Sequence, residues 1–136
     1  MSRGVSDKIT YKPYNQGEQW LLPPSLDEME IIKIKFDYMC FPVWIYNENN
    51  ELKTNDLPDY LIGDKIIDTM FVELQNIYNS LFIDDMEKFE FKGFLSDEDK
   101  NNFLNRVSYA VNLLTQKVNK STIIEFDKES LIKLIN

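Results

Sequence analysis

Histidine is absent from this chain of 136 residues, and cysteine occurs only once, at Cys40. These absences exclude a Ser-His-Asp triad, a Cys-His nucleophile pair and a zinc site built from cysteine and histidine. A single cysteine also excludes an intrachain disulfide, so we expect the protein to reside in a reducing cytoplasm. Because Lys35 is the only cation close to Cys40 in the sequence, we interpret Cys40 as an inert, half-buried thiol.

Glycine is scarce as well, and the 4 glycines of the chain lie far apart in the sequence. Their spacing excludes the Gly-x-Gly dinucleotide loop and the Walker phosphate loop. The chain also lacks the apolar run of about 18 residues that a membrane helix needs, and it lacks a signal peptide with a basic start and an apolar middle. We therefore expect a soluble cytoplasmic protein without a membrane segment.

Basic residues are outnumbered, since 15 Lys and Arg face 23 Asp and Glu and the formal net charge is -8. An acidic chain repels phosphate backbones, so we expect no unassisted binding to nucleic acid. The acidity is suited to solubility alone or to a basic protein partner. Hydrophobic residues make up 43% and aromatic residues 13% of the chain, which is enough for the core of one folded domain.

The composition divides the chain into two parts. Residues 1–28 mix Gly, Ser, Pro and Asn with few large apolar groups, and the Pro23-Pro24 pair excludes a helix there. We predict an extended leader or arm over residues 1–28, with Trp20–Leu22 as its anchor if it has one. Residues 29–136 are predicted to form a single domain.

Hydrophobic periodicity predicts an α+β fold for that domain. We expect a mainly antiparallel sheet of about four strands packed against two long helices, followed by a short C-terminal helix. The predicted strands are 30–38, 43–46, 87–93 and 122–126, and the predicted helix N-caps are Asp64, Ser96 and Asp127. The first helix is predicted to continue to Phe82.

Apolar spacing also predicts which side chains are buried. The buried residues include the helical positions Ile66 and Phe82 and the inward strand positions Phe89 and Phe91. In the last helix, the residues predicted to dock on the domain are Leu131, Ile132, Leu134 and Ile135.

Paired carboxylates are the remaining candidates for chemistry. Asp84-Asp85 and Asp97–Asp99 have the residue types that a glycosidase or a hard-cation site uses. Adjacent acids at a helix end serve capping and solubility more often. The segment 47–51 carries oxygen ligands but lacks the glycine and the Asp-x-Asp spacing of a calcium loop. We therefore predict a non-enzymatic protein without catalytic residues, cofactor or metal ion, with a small carboxylate hydrolase as the alternative that converging acids would indicate.

One resemblance concerns the leader. Tyr14-Asn15-Gln16, followed by Leu-Leu-Pro-Pro-Ser-Leu-Asp-Glu at 21–28, is similar to the N-terminal opening of insertion-sequence transposases. Such an enzyme needs a long catalytic domain with separated carboxylates that bind two metal ions, and the rest of this chain is too short for one. We interpret residues 14–28 as part of a fused leader, with Met29 as the start of the working domain. The alternative is that the arm packs on the domain.

A second resemblance begins at Phe36. The run from Cys40 to Tyr46, Cys-Phe-Pro-Val-Trp-Ile-Tyr, leads through an Asn- and Glu-rich turn to Asp-Leu-Pro at 56–58. This pattern resembles contact-dependent growth inhibition immunity proteins of bacterial polymorphic toxin systems, and residues 29–136 follow the same general plan. The resemblance implies a non-enzymatic protein that binds and blocks a cognate toxin, often a nuclease, in the cytoplasm of the producing cell.

The predicted function is therefore toxin neutralisation by a tight complex, with a transposon-derived fragment or nucleic-acid-associated accessory protein as the alternative. The expected partner is a basic toxin domain, and the protein itself is expected to be a monomer within a heterodimer or a weak homodimer. Trp44 and Tyr46 would anchor the partner if their strand lies at a sheet edge and would belong to the core, the favoured interpretation, if it is central. The predicted partner-binding residues are Trp44, Tyr46, Glu48, Glu51, Asp56, Asp59, Asp64, Asp68, Asp84 and Asp85.

Overall fold

A computed structural model of the protein describes residues 29–136. The leader predicted for residues 1–28, its transposase-like part and its Trp20–Leu22 anchor lie outside the described residues. The α+β class is confirmed, since the described residues form 6 strands and 3 α-helices. In chain order these are β1 (Glu30–Ile34), β2 (Val43–Asn47), β3 (Leu52–Thr54), α1 (Lys65–Asn79), β4 (Phe82–Asp84), β5 (Phe89–Phe91), α2 (Asp97–Lys117), β6 (Thr122–Phe126) and α3 (Lys128–Ile135).

The main sheet has four strands in the order β3-β2-β1-β6. Strand β1 pairs antiparallel with β2 and parallel with β6, and β2 pairs antiparallel with β3. The sheet is thus mixed, with antiparallel pairing in the majority as predicted. The strand β3 at Leu52–Thr54 is a correction, because it is absent from the strands that the sequence pattern predicts.

Both long helices pack on one face of this sheet, and their apolar stripes meet there. The alternation of β1 and β2 directs Ile32, Ile34, Val43 and Ile45 to the helices, and all four are buried. The other members of the core are supplied mainly by α1 and α2. From these helices they are Ile67, Phe71, Leu74, Tyr78, Phe103, Leu104, Val107, Ala110 and Leu114.

The predicted caps are confirmed, and they show why the helices begin where they do. The Asp64 side chain accepts hydrogen bonds from the backbone N–H groups of Ile66 and Ile67, and Ser96 Oγ accepts from Asp99 N. Asp127 caps α3 in the same way through Ser130 N. Each cap satisfies a backbone donor that has no partner inside its own helix.

Helix α1 is shorter and its buried stripe narrower than predicted. It ends at Asn79, and Phe82 belongs to β4. Ser80 Oγ donates to Ile77 O, which competes with continued helical bonding. Ile66 was predicted to be buried but is 65% exposed. It lies about 100° around the helix from Ile67, outside the face that points at the sheet.

The prediction that Phe89 and Phe91 point inward is wrong. Strand β5 pairs with β4 in a separate two-stranded hairpin, and it does not enter the main sheet. Phe89 is 55% exposed and Phe91 is 37% exposed, because no helix layer of the described chain covers their outer side.

In α3, Leu131 and Ile135 are buried as predicted, but Leu134 is 46% exposed and does not dock.

The interpretation of Trp44 and Tyr46 as core residues is also wrong. Strand β2 is central, yet its buried side is occupied by Val43 and Ile45, so the alternate residues point to the opposite face of the sheet. Both aromatic side chains are half-buried there. A central strand therefore places them in the middle of an outer face and not in the core.

Among residues 29–136, none of the helices combines the length and apolar character needed to cross a membrane.

Asp64 makes the stability of the domain sensitive to acid. The hydrogen bond from Lys117, with an Nζ–Oδ2 distance of 2.7 Å, and then the capping bonds lower the pKa of Asp64 below its ordinary value of 3.8. A carboxyl group with a lowered folded-state pKa stabilises the fold above its unfolded-state pKa, and this contribution is lost as the pH falls through the folded-state pKa.

We expect the native chain to be more stable than Asp64→Asn at neutral pH and this difference to shrink between about pH 5 and pH 2. Urea unfolding at a series of pH values measures it. The control variant is Asp68→Asn, which removes a carboxylate from the same first turn. If the difference in unfolding free energy between the native chain and Asp64→Asn does not change with pH, the lowered pKa of Asp64 is contradicted.

Candidate partner-binding surface

The β4–β5 hairpin concentrates large side chains on one of its two faces. Phe82 lies opposite Phe91 in the register, and Asp84 lies opposite Phe89. Opposed residues, and residues two apart along a strand, share a face of an antiparallel pair. Three phenylalanines and one carboxylate are therefore displayed together.

Tyr38, from the loop after β1, joins these rings. Its ring centroid lies 5.0 Å from that of Phe82 and 4.9 Å from that of Phe89. Phe82 stacks on Phe89 at 5.3 Å and contacts the buried Tyr78 edge-on, also at 5.3 Å. The rings thus form a continuous path from the core to the surface, which fixes the outermost ring in position.

The exposed end of this path is strongly apolar. Phe89 exposes 55% of its surface, Met86 at the hairpin turn is fully exposed, and Met39 in the neighbouring loop exposes 65%. These side chains leave apolar area in contact with water, so the packing of residues 29–136 does not explain why they are apolar. Met86 belongs to the same hairpin as Phe89, and Met39 follows Tyr38, whose ring contacts Phe89. Exposed apolar groups gathered in this way are typical of surfaces that contact another molecule.

Asp85 holds the hairpin turn in one shape. Its Oδ1 accepts hydrogen bonds from the backbone N–H groups of Glu87 and Lys88, both at 2.9 Å, and its own N–H donates to Lys88 O at 3.0 Å. Met86 lies at the tip of this turn and takes no part in these bonds. The turn therefore presents Met86 on a fixed backbone.

Asp84 connects the hairpin to the loop after β1. The Tyr38 hydroxyl donates to Asp84 Oδ2 at 2.9 Å, and this hydrogen bond is the main reason that the pKa of Tyr38 is raised above its ordinary value. The hydrogen bond to the carboxylate is made by the protonated hydroxyl and therefore favours that form. The two segments are in this way joined into one surface.

Met39 is held in an unusual backbone conformation beside the hairpin. Its φ is 62°, in the left-handed region that side chains other than glycine and asparagine rarely adopt. The N–H of Met39 donates to Asn79 Oδ1 at 2.8 Å, which ties the loop to the end of α1. Strain of this kind is often retained at functional surfaces.

Acidic groups lie beside the apolar residues. Asp84 shares the face of the phenylalanines, and Asp85 and Glu87 lie in the hairpin turn. Glu90 is opposite Ile83 in the register, so it lies on the other face of the hairpin, where it forms an ion pair with Lys88 at 3.0 Å. The hairpin therefore carries a negative rim at the turn end of an aromatic and methionine centre. We call the set Tyr38, Met39, Asp84, Asp85, Met86, Glu87, Phe89 and Phe91 the hairpin surface.

Of the predicted partner-binding residues, Asp84 and Asp85 lie on the hairpin surface. Trp44 and Tyr46 lie on the outer face of the main sheet, and Glu48 and Glu51 lie in the turn from β2 to β3. Glu51 accepts a hydrogen bond from Asn47 Nδ2 at 2.8 Å, an interaction that supports the turn.

The other predicted acids lie near the start of α1. Asp56 Oδ1 accepts from Leu57 N at 2.7 Å, Asp59 begins a 3-10 turn at Asp59–Leu61, and Asp64 and Asp68 lie at the first turn of α1. Helix α1 separates this group from the hairpin surface by about 22 Å along its axis. The structure therefore does not bring the two acidic groups into one site.

Several residues of the hairpin surface were not among the predicted partner-binding residues. They are Tyr38, Met39, Met86, Glu87, Phe89 and Phe91. The alternation of Phe89 and Phe91 with charged residues predicted a strand, but a strand pattern does not state which face a helix layer covers. Within the described part of the chain, no group of 3 or more His, Cys, Asp or Glu side chains is arranged to hold a metal ion.

The chain was also compared with known proteins. No protein-family model matches it, and neither does any curated protein.

Proposed function

We propose that this protein is a non-enzymatic immunity protein that binds a cognate bacterial toxin and neutralises it. The observation that carries the proposal is the hairpin surface, an exposed aromatic and methionine centre with an acidic rim. The resemblance of residues 36–58 to contact-dependent growth inhibition immunity proteins supports the same function.

The centre of the hairpin surface has the character of an interface hot spot. Binding energy at protein interfaces concentrates in a few large side chains that enter pockets of the partner, and rigid aromatic side chains are preferred for this role. Phe89 is rigid because Tyr38 and Phe82 contact its ring. Its ordering therefore costs little free energy upon binding.

The rim indicates the charge of the partner. Asp84, Asp85 and Glu87 would attract a surface rich in Lys and Arg, which raises the rate of association. A nuclease toxin carries such a surface because it binds a phosphate backbone. In this proposal the immunity protein covers that surface in a tight heterodimer in the cytoplasm of the producing cell, and nucleic acid is thereby excluded.

Co-expression tests this function. The toxin domain encoded by the gene immediately upstream is expressed with and without this protein in the same host. We expect growth to be restored only in the presence of this protein, and a tagged form of it to co-purify the toxin in a stoichiometric complex. An immunity protein from an unrelated toxin system serves as the negative control. Absence of both rescue and co-purification would overturn the proposal.

A further inference from the structure

Strand β5 has one open edge. Strands β4 and β5 form a sheet of only two strands, so β5 is paired with β4 on one side and with no other strand of residues 29–136. All three residues of β5 are exposed, whereas two of the three residues of β4 are half-buried. Of the two edges of the hairpin, the edge of β5 is therefore the more accessible.

Hydrogen bonds at the two ends of the hairpin determine how the residues between them are bonded. Lys92 N donates to Leu81 O at 2.7 Å, and Asp85 N donates to Lys88 O at 3.0 Å. Opposed residues of an antiparallel pair alternate between hydrogen-bonded and non-hydrogen-bonded pairs. The bonded pair between these two ends joins the middle residues of the strands, so the backbone of Glu90 is directed at β4.

The backbones of Phe89 and Phe91 are directed the other way. Both residues belong to the non-hydrogen-bonded pairs, so their N–H and C=O groups point away from β4. Within residues 29–136, these groups have no backbone partner on that side. An edge with free donors and acceptors is a template for pairing with another strand.

Charged side chains alternate in sign along this edge. Strand alternation places Lys88, Glu90 and Lys92 on the face opposite to the phenylalanines. Lys88 and Glu90 form the ion pair described above, but Lys92 forms no ion pair with any residue in the described part of the chain. The pattern Lys-x-Glu-x-Lys is the same in both chain directions, so it can be complementary to itself in an antiparallel arrangement.

The charges select an offset register for two such edges. If Glu90 lay opposite Glu90 of a second copy, Lys88 would lie opposite Lys92 and each facing pair would repel. If Phe91 lies opposite Phe91 of the second copy, Glu90 of each copy lies opposite Lys92 of the other. Opposite charges at facing positions stabilise an antiparallel pair, and like charges destabilise it. This register also lets the outward N–H and C=O groups of the two Phe91 residues bond to each other.

We propose that two copies of the chain pair through their β5 edges and form a weak symmetric dimer with a four-stranded sheet. Glu90 of each copy then pairs with Lys92 of the other. A three-residue edge buries much less than the roughly 800 Å² on each partner that a stable interface needs, so we expect a dissociation constant on the order of 0.1 mM. The dimer requires no toxin, and it is therefore independent of the proposed function.

Sedimentation equilibrium at a series of protein concentrations tests the dimer. The native chain has a mass of 16.1 kDa, and its average mass is expected to rise toward twice this value with concentration. Glu90→Lys gives an edge of three lysines and is expected to weaken association by about tenfold or more. Glu129→Lys, the same change at an exposed residue of α3, is the matched control and is expected to leave association unchanged.

A mixing experiment tests the pairing of charges directly. The double variant Lys88→Glu with Lys92→Glu has an edge of three glutamates, and like Glu90→Lys it is expected to be monomeric alone. Mixed in equal amounts, the two variants are expected to associate, because each edge then faces the opposite charge. Circular dichroism of each variant verifies that the fold is retained.

Each other outcome would overturn the proposed dimer. A native chain that remains monomeric up to about 1 mM would show that the edge does not pair. Association that Glu90→Lys leaves unchanged, or that Glu129→Lys weakens equally, would place the contact elsewhere. Failure of the mixed variants to associate would show that the charges do not face each other. No toxin is present in these experiments, so none of these results bears on the immunity function.

Discussion

The Ile67→Ala variant is expected to lose about 2–5 kcal/mol of the free energy of unfolding, whereas Ile66→Ala is expected to change it by no more than about 0.5 kcal/mol. The two isoleucines are neighbours in α1, and the substitution is chemically identical at both. Ile67 is 0% exposed and belongs to the core, while Ile66 is 65% exposed. The burial of the side chain therefore accounts for the whole expected difference.

The cost at Ile67 has two parts. Truncation removes apolar area that was shielded from water, and it leaves a cavity between α1 and the sheet that neighbours fill only in part. At Ile66 neither term applies, and the higher helix propensity of alanine acts in the stabilising direction. Urea unfolding of both variants, followed by circular dichroism, measures the difference. Equal losses at both positions would show that the buried face of α1 is wrongly assigned.

This pair of residues also illustrates what apolar spacing does and does not predict. The spacing identified α1, its Asp64 cap and the helical character of the segment, because these depend on local contacts within a few residues. It did not resolve the edges of the buried stripe. Ile66 satisfies the pattern as well as Ile67 does, and only the position of the sheet decides which of them is covered.

The hairpin shows the same limit at the level of strands. Sequence alternation predicted a strand that includes Phe89 and Phe91, and the structure contains one at Phe89–Phe91. The inference that phenylalanine points inward assumed a layer above it. The chain instead turns back on itself at Asp85, and the described helices cover the main sheet. Which strands pair, and which face a helix covers, are long-range properties that no local pattern contains.

The outer face of the main sheet follows from the same reasoning. A central strand in a sheet covered on both faces would bury Trp44 and Tyr46, and a sheet covered on one face exposes them in part. The α+β class was predictable from the order of elements, but the number of covered faces was not. The acidic residues were similarly recognisable as exposed, and the predicted helix already placed Asp64 and Asp68 at its start and Asp84 and Asp85 beyond its end.

Truncating the hairpin surface is expected to produce the largest loss of function. Under the proposed function, Phe89→Ala should weaken toxin binding by about 30-fold or more, because a central aromatic anchor contributes about 2 kcal/mol or more at an interface. Met86→Ala should also weaken binding, and it cannot act through the fold, since the Met86 side chain is fully exposed. Isothermal titration calorimetry with the upstream toxin domain, carrying an inactivating substitution, measures both.

The matched control is Tyr109→Ala, which removes an aromatic side chain of comparable exposure from α2, at 62% against 55% for Phe89. We expect it to leave the affinity unchanged within about twofold, as is usual for residues outside an interface. Thermal unfolding separates binding from folding, because Phe89→Ala also removes ring contacts with Tyr38 and Phe82.

If Met86→Ala and Phe89→Ala bind as the native chain does while Tyr109→Ala does not, the toxin contacts the helical side and the hairpin surface is not the interface. If all three bind normally and growth is still rescued, the immunity function stands and its interface lies elsewhere. The acidic residues near the start of α1, Asp56, Asp59, Asp64 and Asp68, are then the next surface to vary.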